Sequence, residues 1–232
     1  MKHKWLEFVP IYALVLLLFA TVAVFMDHTV TAMSETNFQK NHSCIVIDAG
    51  HGGIDGGATS YSGVVESKLN LDIALRLNDL LHFLGYETKM IRTSDISIHA
   101  QGDTIASKKI SDLKERVRIV NEIQDAILIS IHQNYFQESR YSGAQVFYAQ
   151  TAGSEILAKE LQNLLKATID PANRRKAKQS TGVYLMEHIQ CSGILIECGF
   201  LSNPEEDRKL QDPSYQKNLC CVIAAAVAGF VS

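Results

Sequence analysis

The sequence predicts an α/β fold, a single sheet with helices on both of its faces, and three observations carry that expectation. Short runs with no polar face recur along the chain: Cys44-Ile-Val-Ile-Asp-Ala49, Ala126-Ile-Leu-Ile-Ser-Ile-His132 and Gly193-Ile-Leu-Ile-Glu-Cys198. Such runs read as strands buried on both sides, as in a parallel or mixed sheet. Segments of helical period alternate with them, the pattern of layered α/β structure. Composition agrees: 47% hydrophobic and 20% charged residues exclude a disordered chain, and five cysteines in 232 residues exclude a disulfide mini-scaffold.

The elements follow in order. Cys44–Ala49 is the first strand, ended by the glycine-dominated stretch Gly50-His-Gly-Gly-Ile-Asp-Gly-Gly57. Lys68 to Gly85 is a helix whose Leu69, Ile73, Leu77, Leu80, Leu81 and Leu84 make a broad apolar face, with Gly85 suited to a C-terminal cap. Glu87–Arg92 is a second strand, and the polar stretch Ser94–Ser111 a surface loop. Asp112–Gln124 is a helix, Ala126–His132 a strand, Ala144–Ala149 another strand, and Glu155–Ile169 an amphipathic helix. Pro171–Lys178 is a basic loop with Arg174, Arg175, Lys176 and Lys178. Val183–His188 suits either strand or helix, Gly193–Cys198 is a buried strand, and Tyr215–Val231 is the last helix.

Ahead of this domain, Phe8 to Met26 contains no charged residue, with Lys2 and Lys4 before it. Its length suffices to cross a hydrocarbon core of about 30 Å as a helix. The leading positive charge puts the N-terminus inside and the remainder outside. Residues 1–27 therefore read as a retained membrane anchor or a cleaved signal segment, 28–43 as a polar stalk, and 44–232 as one folded domain. That domain, of about 190 residues, is large enough for one full core. Twenty-two basic against 25 acidic residues give a net charge of −3, so no nucleic-acid partner is expected. Cys44, Cys191, Cys198, Cys220 and Cys221 include no CxxC pair, which argues against a thiolate metal site. Buried free thiols are expected, with one disulfide still open to an exported chain.

In open α/β sheets, ligands bind beyond the carboxyl ends of the strands. His51 follows the first strand, His132 closes the third and Glu197 closes the last, so all three should face one rim. His51 lies among glycines, but no GxxxxGK[ST] is present, which removes a phosphate-cradling loop. Glu66 sits where the first helix should begin. Taken alone it reads as a carboxylate stabilised by the helix dipole, yet the loop from His51 can return it to the same rim. Glu197 ends an apolar strand, where a carboxylate is costly unless paired or functional. An Arg partner and a role beside a metal are both open for it. Two histidines and a glutamate form a common ligand set for catalytic zinc, with a second glutamate as base. The absence of HExxH excludes a site built on one helix. His188 is a weaker candidate for the cleft.

IVIDAGHGG with Asp55-Gly-Gly57, Glu66, Arg116 and Asn121, then SIHQN and ILIECGFLSNPEE resemble the zinc-dependent N-acetylmuramoyl-L-alanine amidases of the amidase-3 type. The resemblance runs from about Cys44 to the C-terminus. It implies one α/β domain with a six-stranded sheet, one zinc ion on His51, Glu66 and His132, and Glu197 as the catalytic glutamate. It implies peptidoglycan as substrate, with Asn134 and the Phe200–Asn203 stretch shaping the cleft. Asn134 is also placed to donate to an oxyanion, and Arg174 and Arg175 to meet peptide carboxylates. The compact chain with its apolar N-terminal segment is most similar to the spore-cortex branch, whose members act in muramic-δ-lactam formation. That branch implies a site outside the cytoplasmic membrane, and an accessory lipoprotein as partner. A zinc peptidase acting on another wall amide, and a catalytically silent wall-binding module, are the alternatives.

Overall fold

A computed structural model describes residues 43–232. In chain order they form β1 (Cys44–Ala49), α1 (Glu66–Phe83), β2 (Thr88–Met90), α2 (Ile105–Asn121), β3 (Ala126–Asn134) and β4 (Gln145–Tyr148). Then come α3 (Ser154–Thr168), β5 (Lys178–Gln179), α4 (Tyr184–His188), β6 (Ser192–Phe200), α5 (Pro204–Gln211) and α6 (Pro213–Val231). The expected anchor, and the stalk apart from Ser43, lie outside the described residues.

One sheet holds all six strands in the order β2-β1-β3-β6-β4-β5. β2, β1, β3 and β6 run parallel. β4 is antiparallel to β6, and β5 follows the direction of β4, so the sheet is mixed. Both faces are covered, which explains the absence of a polar face in the central strands. On one side Ile45, Ile47, Ile129 and Ile194 pack with Leu77 of α1, Leu161 of α3 and Ile223 of α6. On the other, Val46, Leu128 and Leu195 pack with Val120 of α2 and with Leu185 and Met186 of α4. α6 is apolar and long enough to span a membrane by length and composition. In this fold its Leu219, Ile223 and Val227 are fully buried in the core.

Helices α2 and α5 differ from the sequence expectation, as does the two-residue strand β5, which begins where the basic loop Pro171–Lys178 was expected to end. α2 begins at Ile105, seven residues before the expected Asp112, because Thr104 and Ser107 cap each other's backbone N–H groups. The cap, not the apolar stripe, fixes that end. α5 was not expected at all. Asn203 accepts from the N–H groups of Glu205 and Glu206, Pro204 occupies the first turn, and acidic residues precede Arg208 and Lys209. The open segment 183–188 is the short helix α4. All five cysteines are free.

Leu161 is fully buried between α3 and the sheet. Leu161→Ala should cost about 3 kcal/mol, read as a lower urea midpoint with an unchanged slope.

Candidate metal centre

The parallel strands β1, β3 and β6 end at one edge, and the chain turns there into the loops that carry the chemistry. His132 and Glu197 are register partners across β3 and β6. Gly50 donates its N–H to the carbonyl of Ile131 at 3.0 Å, which ties the start of the His51 loop to the end of β3. Glu66 is the first residue of α1. His51, Glu66 and His132 each offer a ligand atom, and these atoms all lie within 4.8 Å of one another.

The orientation of each side chain has a visible cause. His51 Nδ1 lies 3.0 Å from Asp55 Oδ2, which leaves Nε2 facing Glu66 Oε2 at 3.4 Å. Asp55 is itself held by Lys109 of α2 at 2.7 Å. His132 Nδ1 faces Glu66 Oε1 at 3.2 Å, and the two imidazoles meet edge to face with ring centres 5.0 Å apart. Glu66 is fixed before any ion arrives: Oε2 accepts from the N–H of Ala58 at 3.0 Å, and Oε1 from Gln133 N–H at 3.1 Å and Asn70 Nδ2 at 3.2 Å. Glycine is required where the rings pass the backbone. A Cβ on Gly50 would stand 2.1 Å from Nε2 of His132. One on Gly57, which has a φ of +71°, would stand 2.5 Å from Oε2 of Glu66.

Charge follows the same geometry. Burial opposes charge on Glu66, but His132 and His51 outweigh it and hold its carboxyl far below the usual range. Burial also opposes the protonated form of His51, and Glu66 and Asp55 override it, lifting the pKa to about 9. Glu197 behaves differently. Burial pushes its pKa up to about 7, against the pull of His132. Its Oε2 is shut from solvent and has no hydrogen-bond partner. Among the described residues no Arg pairs with it, so the ion-pair reading left open by the sequence is not the one seen. A tight set of two imidazoles and one carboxylate, with orienting partners behind each and an orphaned carboxylate oxygen beside them, fits a zinc ion with open coordination positions.

The Amidase-3 family, described as N-acetylmuramoyl-L-alanine amidase, matches residues 45–229. The chain belongs to that family. It is accordingly a hydrolase of the zinc-dependent amidase type. The amidase is 35% identical over 224 residues to the germination-specific N-acetylmuramoyl-L-alanine amidase of Bacillus subtilis, an alignment covering 96% of this chain and 92% of that protein. Among solved structures it is similar to the CwlD amidase of Clostridioides difficile in complex with the GerS lipoprotein. The identity there is 35% and the TM-score 0.77, over 81% of this chain and 97% of the other. An N-acetylmuramoyl-L-alanine amidase from Clostridium difficile 630 gives 29% and 0.72, over 82% and 97%.

Other residues singled out in the sequence fall in different places. Asn134 closes β3, and its carbonyl accepts from Leu201 N–H at 2.8 Å. Arg174 is exposed and Arg175 half-buried, on the loop before β5. His188 is stacked on Tyr184 and precedes the start of β6, the opposite end of that strand from Glu197. Asn121 holds the chain there, donating to the His188 carbonyl at 3.0 Å and accepting from Gln190 N–H at 2.9 Å. Sequence reasoning passed over Asn70 and Arg92. Asn70, four residues after Glu66 and so on the same helix face, was open to discovery by spacing. Arg92 donates to the carbonyls of Ala49, Gly50 and Ser67, contacts that only the fold creates.

Two outcomes are expected. Asp55→Asn should weaken metal affinity about 10–100-fold, measured by competition with a chromophoric chelator. Since His51 carries a proton up to a pH of about 9 in the free site, loading a divalent cation must expel that proton. Affinity should therefore rise with pH through neutrality, and calorimetry in buffers of different ionisation enthalpy should show proton release.

Proposed function

We propose that this amidase hydrolyses the bond between the lactyl group of N-acetylmuramic acid and the L-alanine of peptidoglycan stem peptides. In this reading His51, Glu66 and His132 hold one zinc ion, and Glu197 moves the proton. The observation that carries it is the convergence of three ligand atoms within 4.8 Å beside a carboxylate with one buried, unpartnered oxygen. Zinc in such a donor set supplies Lewis acidity, polarising a carbonyl and making water acidic enough to attack near neutral pH.

The chain's own residues do the rest. Ionised Glu197 accepts a proton from the attacking water and returns it to the nitrogen of the departing L-alanine. Burial near the end of the apolar strand β6 makes it more basic than an ordinary carboxylate, which favours taking a proton from water. Asp55 keeps a proton on Nδ1 of His51, so that Nε2 presents its lone pair. Asn134, at the end of β3, offers an amide donor to the oxygen that gains charge during attack.

The likeness to the germination-specific amidase supports a role in spore-cortex maturation, where removal of the stem peptide opens the way to muramic-δ-lactam. The likeness to a lipoprotein-bound amidase supports an accessory lipoprotein for this chain as well. The charge-free run 8–26, preceded by Lys2 and Lys4, supports a domain on the outer side of the cytoplasmic membrane, with that segment as anchor or signal.

Glu197→Gln should keep a full complement of zinc by elemental analysis and lose about 10²–10⁴ in kcat. Only the ionised carboxylate accepts a proton, so kcat/KM of the parent enzyme should rise with pH through the Glu197 pKa. A neighbouring cation lowers that pKa from about 7, so the rising limb belongs below neutrality. Digestion of muropeptides with zinc should release free stem peptide and intact glycan, seen by mass spectrometry, and a chelator should stop it. Release of any other peptide product would refute the bond assignment.

A further inference from the structure

β4 and β5 extend the sheet beyond β6, and their loops rise at the same rim as Glu197. A cleft of about 410 Å³ lies there, between residues 140–142 and 170–175. Its inner wall is Arg175. The guanidinium is fixed by three contacts: Nε donates to the Ser142 carbonyl at 2.9 Å, Nη1 donates to Gln145 Oε1 at 3.2 Å, and the group lies over the Phe200 ring, 4.4 Å from its centre. The loop behind it is equally set. Asn173 is buried, donates to the Ala144 carbonyl at 2.8 Å and accepts from Arg175 N–H at 2.9 Å.

This cation lacks what usually accompanies such rigidity. Nη2 of Arg175 makes no hydrogen bond, and no carboxylate lies within salt-bridge distance of Arg174 or Arg175, among the described residues. Arg140, across the cleft, is paired with Glu138 at 2.7 Å. Asp170 lies in the same cleft and accepts from the N–H of Ala172. A half-buried, immobilised guanidinium without an anion is an arrangement waiting for a planar oxyanion ligand.

Its distance from the chemistry fits a peptide. Gln145, which accepts from Arg175, is the register partner of Glu197. Neighbouring strands stand about 4.8 Å apart, so two strand spacings from β6 amount to about 10 Å. An extended chain advances about 3.3 Å per residue, so two residues and one hydrogen bond of about 2.9 Å span that gap. We propose that Arg175, assisted by Arg174, binds the free α-carboxylate of the second residue of the stem peptide, which lies across the tops of β6, β4 and β5. The proposal rests on the amidase reading for the position of the scissile bond.

The test compares two disaccharide-tetrapeptide muropeptides, one with a free carboxylate on its second residue, D-glutamate, and one with that carboxylate amidated. The zinc-loaded full chain should show a kcat/KM about tenfold higher on the free acid, the scale by which a charge-assisted hydrogen bond exceeds a neutral one. Arg175→Gln should abolish the preference, Arg175→Lys should keep part of it, and Arg174→Gln, at an exposed position, should reduce it severalfold with an unchanged melting temperature. Equal rates on both muropeptides in the parent protein, or an undiminished preference in Arg175→Gln, would overturn the subsite and leave the amidase reading standing. Calorimetry with the two free tetrapeptides separates the opposite case. Preferential binding of the acid without cleavage of either muropeptide would uphold the subsite and defeat the amidase reading.

Discussion

A buried guanidinium is the constraint on which the metal centre depends. Arg116 of α2 is 2% exposed, and it spans from the core to the rim. It pairs with Asp48 in β1 and with Asp112 at 2.6 Å, and it donates to the carbonyls of Ala49 at 3.0 Å and His51 at 2.7 Å. Ser130 completes the Asp48 carboxylate from β3 at 2.6 Å. Burial alone would disfavour charge on Arg116, yet Asp48 and Asp112 raise its pKa above the ordinary value. A fully paired buried network of this kind adds little net stability, but loss of one partner costs about 3–5 kcal/mol. The network therefore acts chiefly as a positioning device. It grips the carbonyl of His51, a residue held at a φ of 61° that non-glycine residues rarely adopt.

Glu66 solves a second problem at the same place. As the opening residue of α1 its carboxylate sits at the positive end of a helix dipole, and three N–H donors set its direction. Asn70 serves two structures at once, donating to Glu66 and to the carbonyl of Gly50 at 3.1 Å. The helix, the glycine loop and the end of β3 are thus one hydrogen-bonded body. The ligands are ordered by the fold rather than by the ion, so metal binding need not supply the entropy of arranging them.

The central strands were legible in the sequence because burial on both faces leaves a pattern that no surface segment shares. From strand polarity alone, His51, His132 and Glu197 could be assigned to one rim, and the structure does bring His51 and His132 together with Glu66. What was not legible has two physical causes. The start of α2 and the whole of α5 are set by capping at Thr104 and Asn203, and an apolar stripe carries no record of a cap. The supporting contacts join residues far apart along the chain, such as Arg116 with Asp48 and Arg175 with Gln145, and periodicity says nothing about such partners. The reversed direction of β4 was equally hidden, since a strand of four residues shows its apolar faces but not its neighbour.

That reversal divides the rim into two territories. On one side, the loop leaving β1 carries His51 and leads into Glu66 at the start of α1, so any change of length there would disturb the ligands. On the other, the chain enters β4 and β5 from above, through segments 135–144 and 169–177 that hang on the sheet's edge. These segments can lengthen, shorten or change charge while the ligand-bearing strands keep their register. The scaffold thereby separates the part that must stay constant for bond cleavage from the part on which selection for different wall polymers can act.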